Sequence, residues 1–186
     1  NEPYIGMLGT GRLNMYKSLT TNSPWITMKS NIVNDYNDMT FVSGDTLYIS
    51  GVFKNLLMPS NSSLNVTLST SSPYISVIKA KTILGVINTL GEKNVSDAFK
   101  VKILPGVPIS SQIDFKLTFK DSIANYTSSQ YFSVIVNVDY LTIDTNNIAA
   151  TITSKGKIGY NQQNSSSQGI GFTYKDGKSL LKCGSF

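Results

Sequence analysis

Histidine is absent from the 186 residues, so the imidazole base of a Ser-His-Asp or Cys-His site cannot be assembled. A zinc centre of the usual imidazole kind is excluded for the same reason. The single cysteine, Cys183, leaves no internal disulfide and no Cys-rich metal site, and it reads as a small apolar residue near a strand end. Gly9 and Gly11 in "GTGR" are too few for a phosphate loop or a dinucleotide fingerprint, and no strand leads into them. Paired carboxylates for glycosidase chemistry stand about 5 to 9 Å apart across a cleft, and nothing marks such a pair. The chain reads as non-catalytic, with no cofactor implied.

Two patterns could still bind something. Asp35, Asp38 and Asp45 fall in "NDYNDMTFVSGD", where carboxylates and Asn carbonyls could meet a calcium ion. Their spacing fits no EF-hand, and Asn and Asp are favoured in turns for their own backbone hydrogen bonds, so turn chemistry is the preferred reading. Five Asn-x-Ser/Thr triplets begin at Asn61, Asn65, Asn94, Asn125 and Asn164. In a eukaryotic secreted protein these would carry glycans, but in a chain so rich in Asn, Ser and Thr they are expected by chance.

Charged residues make up 15% of the chain, against about 25% in an average globular domain, so the surface must be built largely from Asn, Ser and Thr. That suits an exported β protein. The formal charge of +5 comes from lysines scattered singly through strand-like stretches, with Arg12 the only arginine. Phosphate readers cluster these residues, so no nucleic-acid partner is expected. Sugar sites usually offer exposed aromatic faces; Trp25, the only tryptophan, follows Pro24 where the strands begin and reads as core.

The elements that would position these residues follow from periodicity. "GMLGTGRLNMYKSLT", residues 6–20, is a Gly-punctuated turn running into a short amphipathic helix. After residue 21 the period changes from 3.6 to 2. "TLYISGVF" places Leu47 and Ile49 on one face before Gly51, a bulge signal, and "SLNVTLST" alternates Leu64, Val66 and Leu68. "YISVI" is a further strand. Phe99, Val101 and Ile103 point inward from "AFKVKIL", and Ile113, Phe115, Leu117 and Phe119 from "IDFKLTF". "YFSVIVNV" does the same with Phe132, Val134, Val136 and Val138. "PGVPISSQ" must be a connection, and "KTILGVINTLGEKN" an edge strand or crossing loop. No stretch approaches about 18 uninterrupted apolar residues, which predicts no membrane span. The N-terminus lacks a basic-then-apolar signal region.

The predicted fold class is all-β: an antiparallel sandwich over residues 22–140, with a short N-terminal helix before it and a C-terminal β-hairpin extension after it. Residues 141–186 read as the start of a further β unit with a tight hairpin at Asp176-Gly177. Its apolar set, Ile148, Ala150, Ile152, Phe172, Tyr174 and Leu180, is too small for an independent core. The chain reads as cut at both ends.

"YIGMLGTGRLNMYKSL", residues 4–19, resembles the last segment of the catalytic domain of subtilisin-like serine peptidases. In that family a Gly-x-Gly-Arg-[Val/Leu]-Asn turn leads into a closing helix of the form x-Tyr-Lys-[Ala/Ser]-Leu. The matching positions are Gly9, Gly11, Arg12, Leu13 and Asn14, followed by Tyr16, Lys17, Ser18 and Leu19. The resemblance implies interdomain packing by Gly9, Gly11, Arg12, Leu13, Asn14 and Leu19. Gly9 and Gly11 would supply backbone conformations closed to other residues, and Asn14 would cap the helix.

From "GDTLYISGVF" to "YFSVIVNV" the chain is similar to the immunoglobulin-like adhesion modules that follow such catalytic domains in secreted bacterial peptidases. In these modules a Gly-Asp opens a strand and an Asn ends it, here Asn55. The sequence departs from the pattern at "KNLLMPS", where many such modules carry Asn-x-Gly. The family's catalytic Asp, His and Ser precede the closing segment, so none carries over. The resemblance implies a non-catalytic accessory domain of a secreted or cell-surface peptidase. Its partners would be the parent's own catalytic domain and a protein or polysaccharide substrate. The competing class is an independent adhesin or carbohydrate-binding module.

Overall fold

A computed structural model describes residues 22–37, 40–153, 156–159, 169–175, 177–178 and 180. The helix expected over residues 6–20 lies outside them, and so do Gly9, Gly11, Arg12, Leu13, Asn14 and Leu19, Cys183 and Asp176 of the Asp-Gly pair. Every regular element among the described residues is a strand, and none of their segments is a helix long and apolar enough to cross a membrane.

The strands are β1 (Ile26–Asn34), β2 (Thr46–Asn55), β3 (Asn65–Ser69), β4 (Ile75–Lys79), β5 (Lys81–Ile83), β6 (Glu92–Ile103), β7 (Ser111–Asp121), β8 (Tyr126–Val136), β9 (Tyr140–Thr145), β10 (Ile148–Thr153) and β11 (Phe172–Tyr174). They form antiparallel sheets ordered β1-β2-β6-β4, β5-β3-β7-β8 and β11-β10-β9. The chain separates into two compact units between Asn137 and Val138.

In the first unit, alternation does what the sequence predicts. Leu47, Ile49 and Phe53 from β2, Leu64, Val66 and Leu68 beside or within β3, and Phe115, Leu117 and Phe119 from β7 belong to one buried cluster. The Phe53 and Phe119 rings meet edge to face across the two sheets, 6.2 Å between centroids. Each such side chain fully removed from water stabilises the fold by about 1.5–3 kcal/mol, which is why period 2 fixes the register of these strands.

Gly51 was expected to mark a bulge, but it stays paired, with Asn31 of β1 and Val95 of β6; the extra residues of the irregular register lie in β6, between Val95 and Phe99. A Cβ at Gly51 would meet Met28 Sδ and the Phe53 ring at 3.1 Å, so glycine is set there by packing. β4 and β5 are halves of one run, separated only by Ala80, that leaves the edge of one sheet for the edge of the other. The expected edge strand or crossing loop at residues 81–94 is both, since β5 is followed by an irregular stretch up to β6.

Where edge strands β1 and β8 approach, side chains replace a main-chain ladder. The buried Tyr126 hydroxyl accepts from Ile26 N at 2.9 Å. Gln130 Oε1 accepts from Met28 N at 2.8 Å while its amide donates to Met28 O at 3.0 Å. These bonds satisfy main-chain groups that an edge would otherwise leave open.

Trp25 departs from the core reading: it is 37% exposed, and its main chain ties neighbouring segments together. Its N–H donates to Asn55 Oδ1 at 3.1 Å and its carbonyl accepts from Leu56 N at 2.9 Å.

In the second unit the parity differs from expectation. Ala149, Thr151, Thr153 and Thr173 are buried, whereas Ile148, Tyr174 and Leu180 are exposed. Strand β9 was not foreseen; its Leu141 and Ile143 pair with Ile152 and Ala150 on the same face as Ile148. Thr151 Oγ1 accepts from Ile170 N, and a Cβ at Gly169, where φ is +118°, would lie 2.3 Å from Thr151 Cγ2. Close approach of that segment selects the small residues.

Candidate functional site

The residues that sequence reasoning singled out as possible ligands serve the backbone. Asp35 Oδ1 accepts from Asn37 N at 3.1 Å, and Asp45 Oδ2 from Val42 N at 2.8 Å; both are turn bonds. Asp38 lies outside the described residues, among which no group of three or more His, Cys, Asp or Glu comes together.

Of the Asn-x-Ser/Thr sites, Asn61 and Asn65 spend their amides on the protein. Asn61 donates to Asp121 Oδ2, and Asn65 to the carbonyls of Ser63 and Lys120. Asn94 and Asn125 are exposed; Asn164 lies outside the described residues.

Two buried polar residues tie loops to the core. Asn55 is wholly buried, and its side chain uses all four of its hydrogen-bonding positions. The amide donates to Met58 O at 2.7 Å and Ile87 O at 2.9 Å, while Oδ1 accepts from Trp25 N and Leu57 N. Asp121, also buried, accepts from Ser63 Oγ at 2.6 Å, Asn61 N at 2.7 Å and Ala124 N at 3.3 Å. Burial alone would raise this carboxyl, but the Ser63 hydroxyl and the Asn61 and Ala124 N–H groups outweigh it and hold it below the usual carboxylate range. Both sites are saturated by the chain itself, which leaves no open position for a ligand.

A more open surface is the outward face of the β1-β2-β6-β4 sheet. Here β6 departs from the ladder: Ile49 pairs with Phe99 but Gly51 with Val95, so residues 96–98 bulge. Asp97 sits at the bulge with φ +47°. Its N–H donates to Ser50 Oγ at 3.0 Å, its carbonyl accepts from Lys79 Nζ at 2.7 Å, and its Oδ1 accepts from the Tyr36 hydroxyl at 2.9 Å. A further shift in β1 between Met28 and Ser30 leaves a groove of about 280 Å³ lined by Ser30, Ile32, Ser50, Val52, Asn94 and Ser96, among others.

Beside it, Tyr36 and Tyr48 meet edge to face with centroids 4.9 Å apart, and Lys100 Nζ lies 4.8 Å from the Tyr48 ring centroid. Tyr36 is 66% exposed. Its phenol is raised above the ordinary tyrosine value, first by its hydrogen bond to Asp97 and then by desolvation and the Asp97 charge.

No protein-family model and no curated protein matches the sequence. The face therefore stands on its geometry. Sequence reasoning missed Tyr36, Asp97 and Asp121. One local signal does exist for the bulge: Ala98 and Phe99 are adjacent apolar residues in an otherwise alternating strand, and both are buried.

Proposed function

We propose that the chain is a non-catalytic, immunoglobulin-like accessory module of a secreted subtilisin-like serine peptidase, following the closing segment of its catalytic domain and holding substrate or cell surface. The observation that carries this reading is the strand order. A constant-type immunoglobulin sandwich has strands ABED in one sheet and CFG in the other. Sheets β1-β2-β6-β4 and β3-β7-β8 follow that order, with β5 added beside β3. The resemblance of residues 4–19 to a subtilisin-like closing segment supplies the parent, and the extension after Asn137 fits a chain of several secreted β units.

A second reading, an independent adhesin or carbohydrate-binding module, is favoured by the groove beside Tyr36 and Tyr48, which sets serine and asparagine side chains around the apolar Ile32 and Val52. The coding sequence upstream of Asn1 separates the two. The first reading requires a Gly-Thr-Ser nucleophile motif there, with the family's Asp and His before it; an upstream sequence without them overturns it. The purified chain is expected to leave casein intact, and cleavage abolished by a serine-directed inhibitor would refute the non-catalytic assignment.

A further inference from the structure

We infer that the outward face of the β1-β2-β6-β4 sheet binds an anionic polysaccharide: the groove, which sets serine and asparagine side chains around the apolar Ile32 and Val52, takes sugar units, and Lys79, Lys100 and Lys102 take their carboxylate or sulfate groups. The inference rests on reading the chain as a binding module, and it is independent of which parent the module serves.

Charge on this face is unevenly neutralised. Lys29 and Lys54 both reach Glu92, at 2.9 and 3.3 Å. Lys79 donates to a main-chain carbonyl and Lys100 lies over a ring, and with Lys102 they form no salt bridge among the described residues. Register puts them together: Tyr48 pairs with Lys100, Thr46 with Lys102, and Lys79 with Lys100. Ser50 follows Tyr48 on the same face of β2, about 7 Å along the strand, so the groove and the cationic cluster are continuous.

Side-chain chemistry selects the polymer. Ser30, Ser50, Asn94 and Ser96 offer short donors and acceptors matched to sugar hydroxyls. The exposed Tyr36 ring gives an apolar plate with a polar tip, and its orientation is fixed by Asp97. An acidic peptide is the weaker match, because extended peptides bind mainly by adding a strand at a sheet edge. This groove lies instead on the face of three strands already paired with one another. A groove of about 280 Å³ falls at the small end of the roughly 300–1,000 Å³ of ligand clefts, so it takes part of a long ligand rather than a whole small one.

The test is titration calorimetry on the full chain at physiological salt, with polygalacturonate and dextran sulfate as anionic probes, neutral dextran as the uncharged probe and polyglutamate as the polypeptide. Saturable binding to one of the anionic polysaccharides is expected, with none to neutral dextran. The double variant Lys100→Gln/Lys102→Gln should bind about tenfold or more weakly, since a hydrogen bond to a charged group contributes about 1.5–3 kcal/mol. Tyr36→Ala should also weaken binding. Lys81→Gln/Lys120→Gln, which changes net charge equally on the other sheet, should bind as the parent chain does.

Equal losses in the two double variants would mean that only the chain's net charge is being read, and would overturn the site. Polyglutamate binding as tightly as the polysaccharides would replace the proposal with an acidic-polypeptide surface. Absence of saturable binding to either anionic polysaccharide would refute it. None of these outcomes bears on the upstream coding sequence, so the two readings fail separately.

Discussion

The Tyr36 hydroxyl donates to Asp97 Oδ1 at 2.9 Å, and both residues have a positive φ, 58° and 47°. A side chain with a Cβ disfavours that region, and such residues persist where their surroundings over-determine them. Asp97 is so determined, by Ser50, Lys79 and Tyr36 from three directions. The strain at Asp97 therefore lies where the sheet is interrupted, next to Ser96 of the groove lining.

That bond predicts a pH signature. The Tyr36 phenol is raised chiefly because it donates to Asp97. A group whose folded pKa exceeds its unfolded value contributes stability that is full below the unfolded pKa, about 10 for tyrosine, and is lost as pH rises through the folded value. In an absorbance titration, Asp97→Asn should move one late phenol step to lower pH, and Tyr36→Phe should remove that step. An unchanged late step in both variants would contradict the pairing.

Asn55 should be among the least replaceable polar residues. Asn55→Ala strands the carbonyls of Met58 and Ile87 and the N–H groups of Trp25 and Leu57. An unsatisfied buried group costs about 1–3 kcal/mol, and the site is wholly buried, so a loss of about 3 kcal/mol or more is expected in urea unfolding. Asn55→Asp should fare no better, because it turns an oxygen toward two carbonyls. Asn94→Ala, at an exposed position, should stay within about 0.5 kcal/mol.

Much of the fold was legible because alternation and burial are the same physical fact: Phe115, Leu117 and Phe119 could face only one way. Gly51 misled as a bulge signal: it stays paired on both sides, the extra residues sit in β1 and β6, and what demands glycine there is the approach of Met28 and Phe53. Asp97 and Asp121 were not legible, because their roles depend on partners roughly sixty residues away, Tyr36 and Asn61, brought close only by folding. Trp25 misled because residue type argued for core, whereas the residue stays partly exposed just before β1. The second unit misled because Thr, not Ile, fills its tight interior.

Asp121 predicts the acid limb of stability. Its folded pKa is depressed, so its contribution is present above the unfolded value, about 4, and disappears as pH falls through the lowered folded value. Asp121→Asn should be less stable at neutral pH and should lose less further stability between pH about 4 and 2 than the parent chain. Equal acid sensitivity in the two would place the titrating group elsewhere.

Tyr126→Phe tests the closure between edge strands. The phenol is pushed up by burial in spite of its bonds with Ser128 and Ile26. Its removal leaves Ile26 N without a partner inside the protein. The expected cost is about 1–3 kcal/mol, with faster hydrogen exchange at the Ile26 amide. Combining it with Gln130→Ala also frees Met28 N and O, and a bare edge invites pairing with another copy. Gel filtration should then show concentration-dependent dimer, and a strictly monomeric double variant would mean that these side chains do not guard the edge.

The strongest test of organisation is truncation after Asp139. Every residue of the core cluster lies at or before Val136. Asn137 then closes the unit: its N–H donates to Phe41 O at 2.6 Å, its amide to Val107 O at 2.9 Å, and its carbonyl accepts from Ser110 N at 2.8 Å, with φ at 54°. A chain ending at Asp139 retains all of these, so its cooperative melt should stay within about 5 °C of the parent's, a shift worth on the order of 1 kcal/mol. A chain ending at Val136 loses three bonds that join the end of β8 to two loops, and should melt distinctly lower. If the Asp139 chain fails to fold while the longer one does, β9 to β11 are integral to the first unit's stability and the boundary after Asn137 is not a folding boundary.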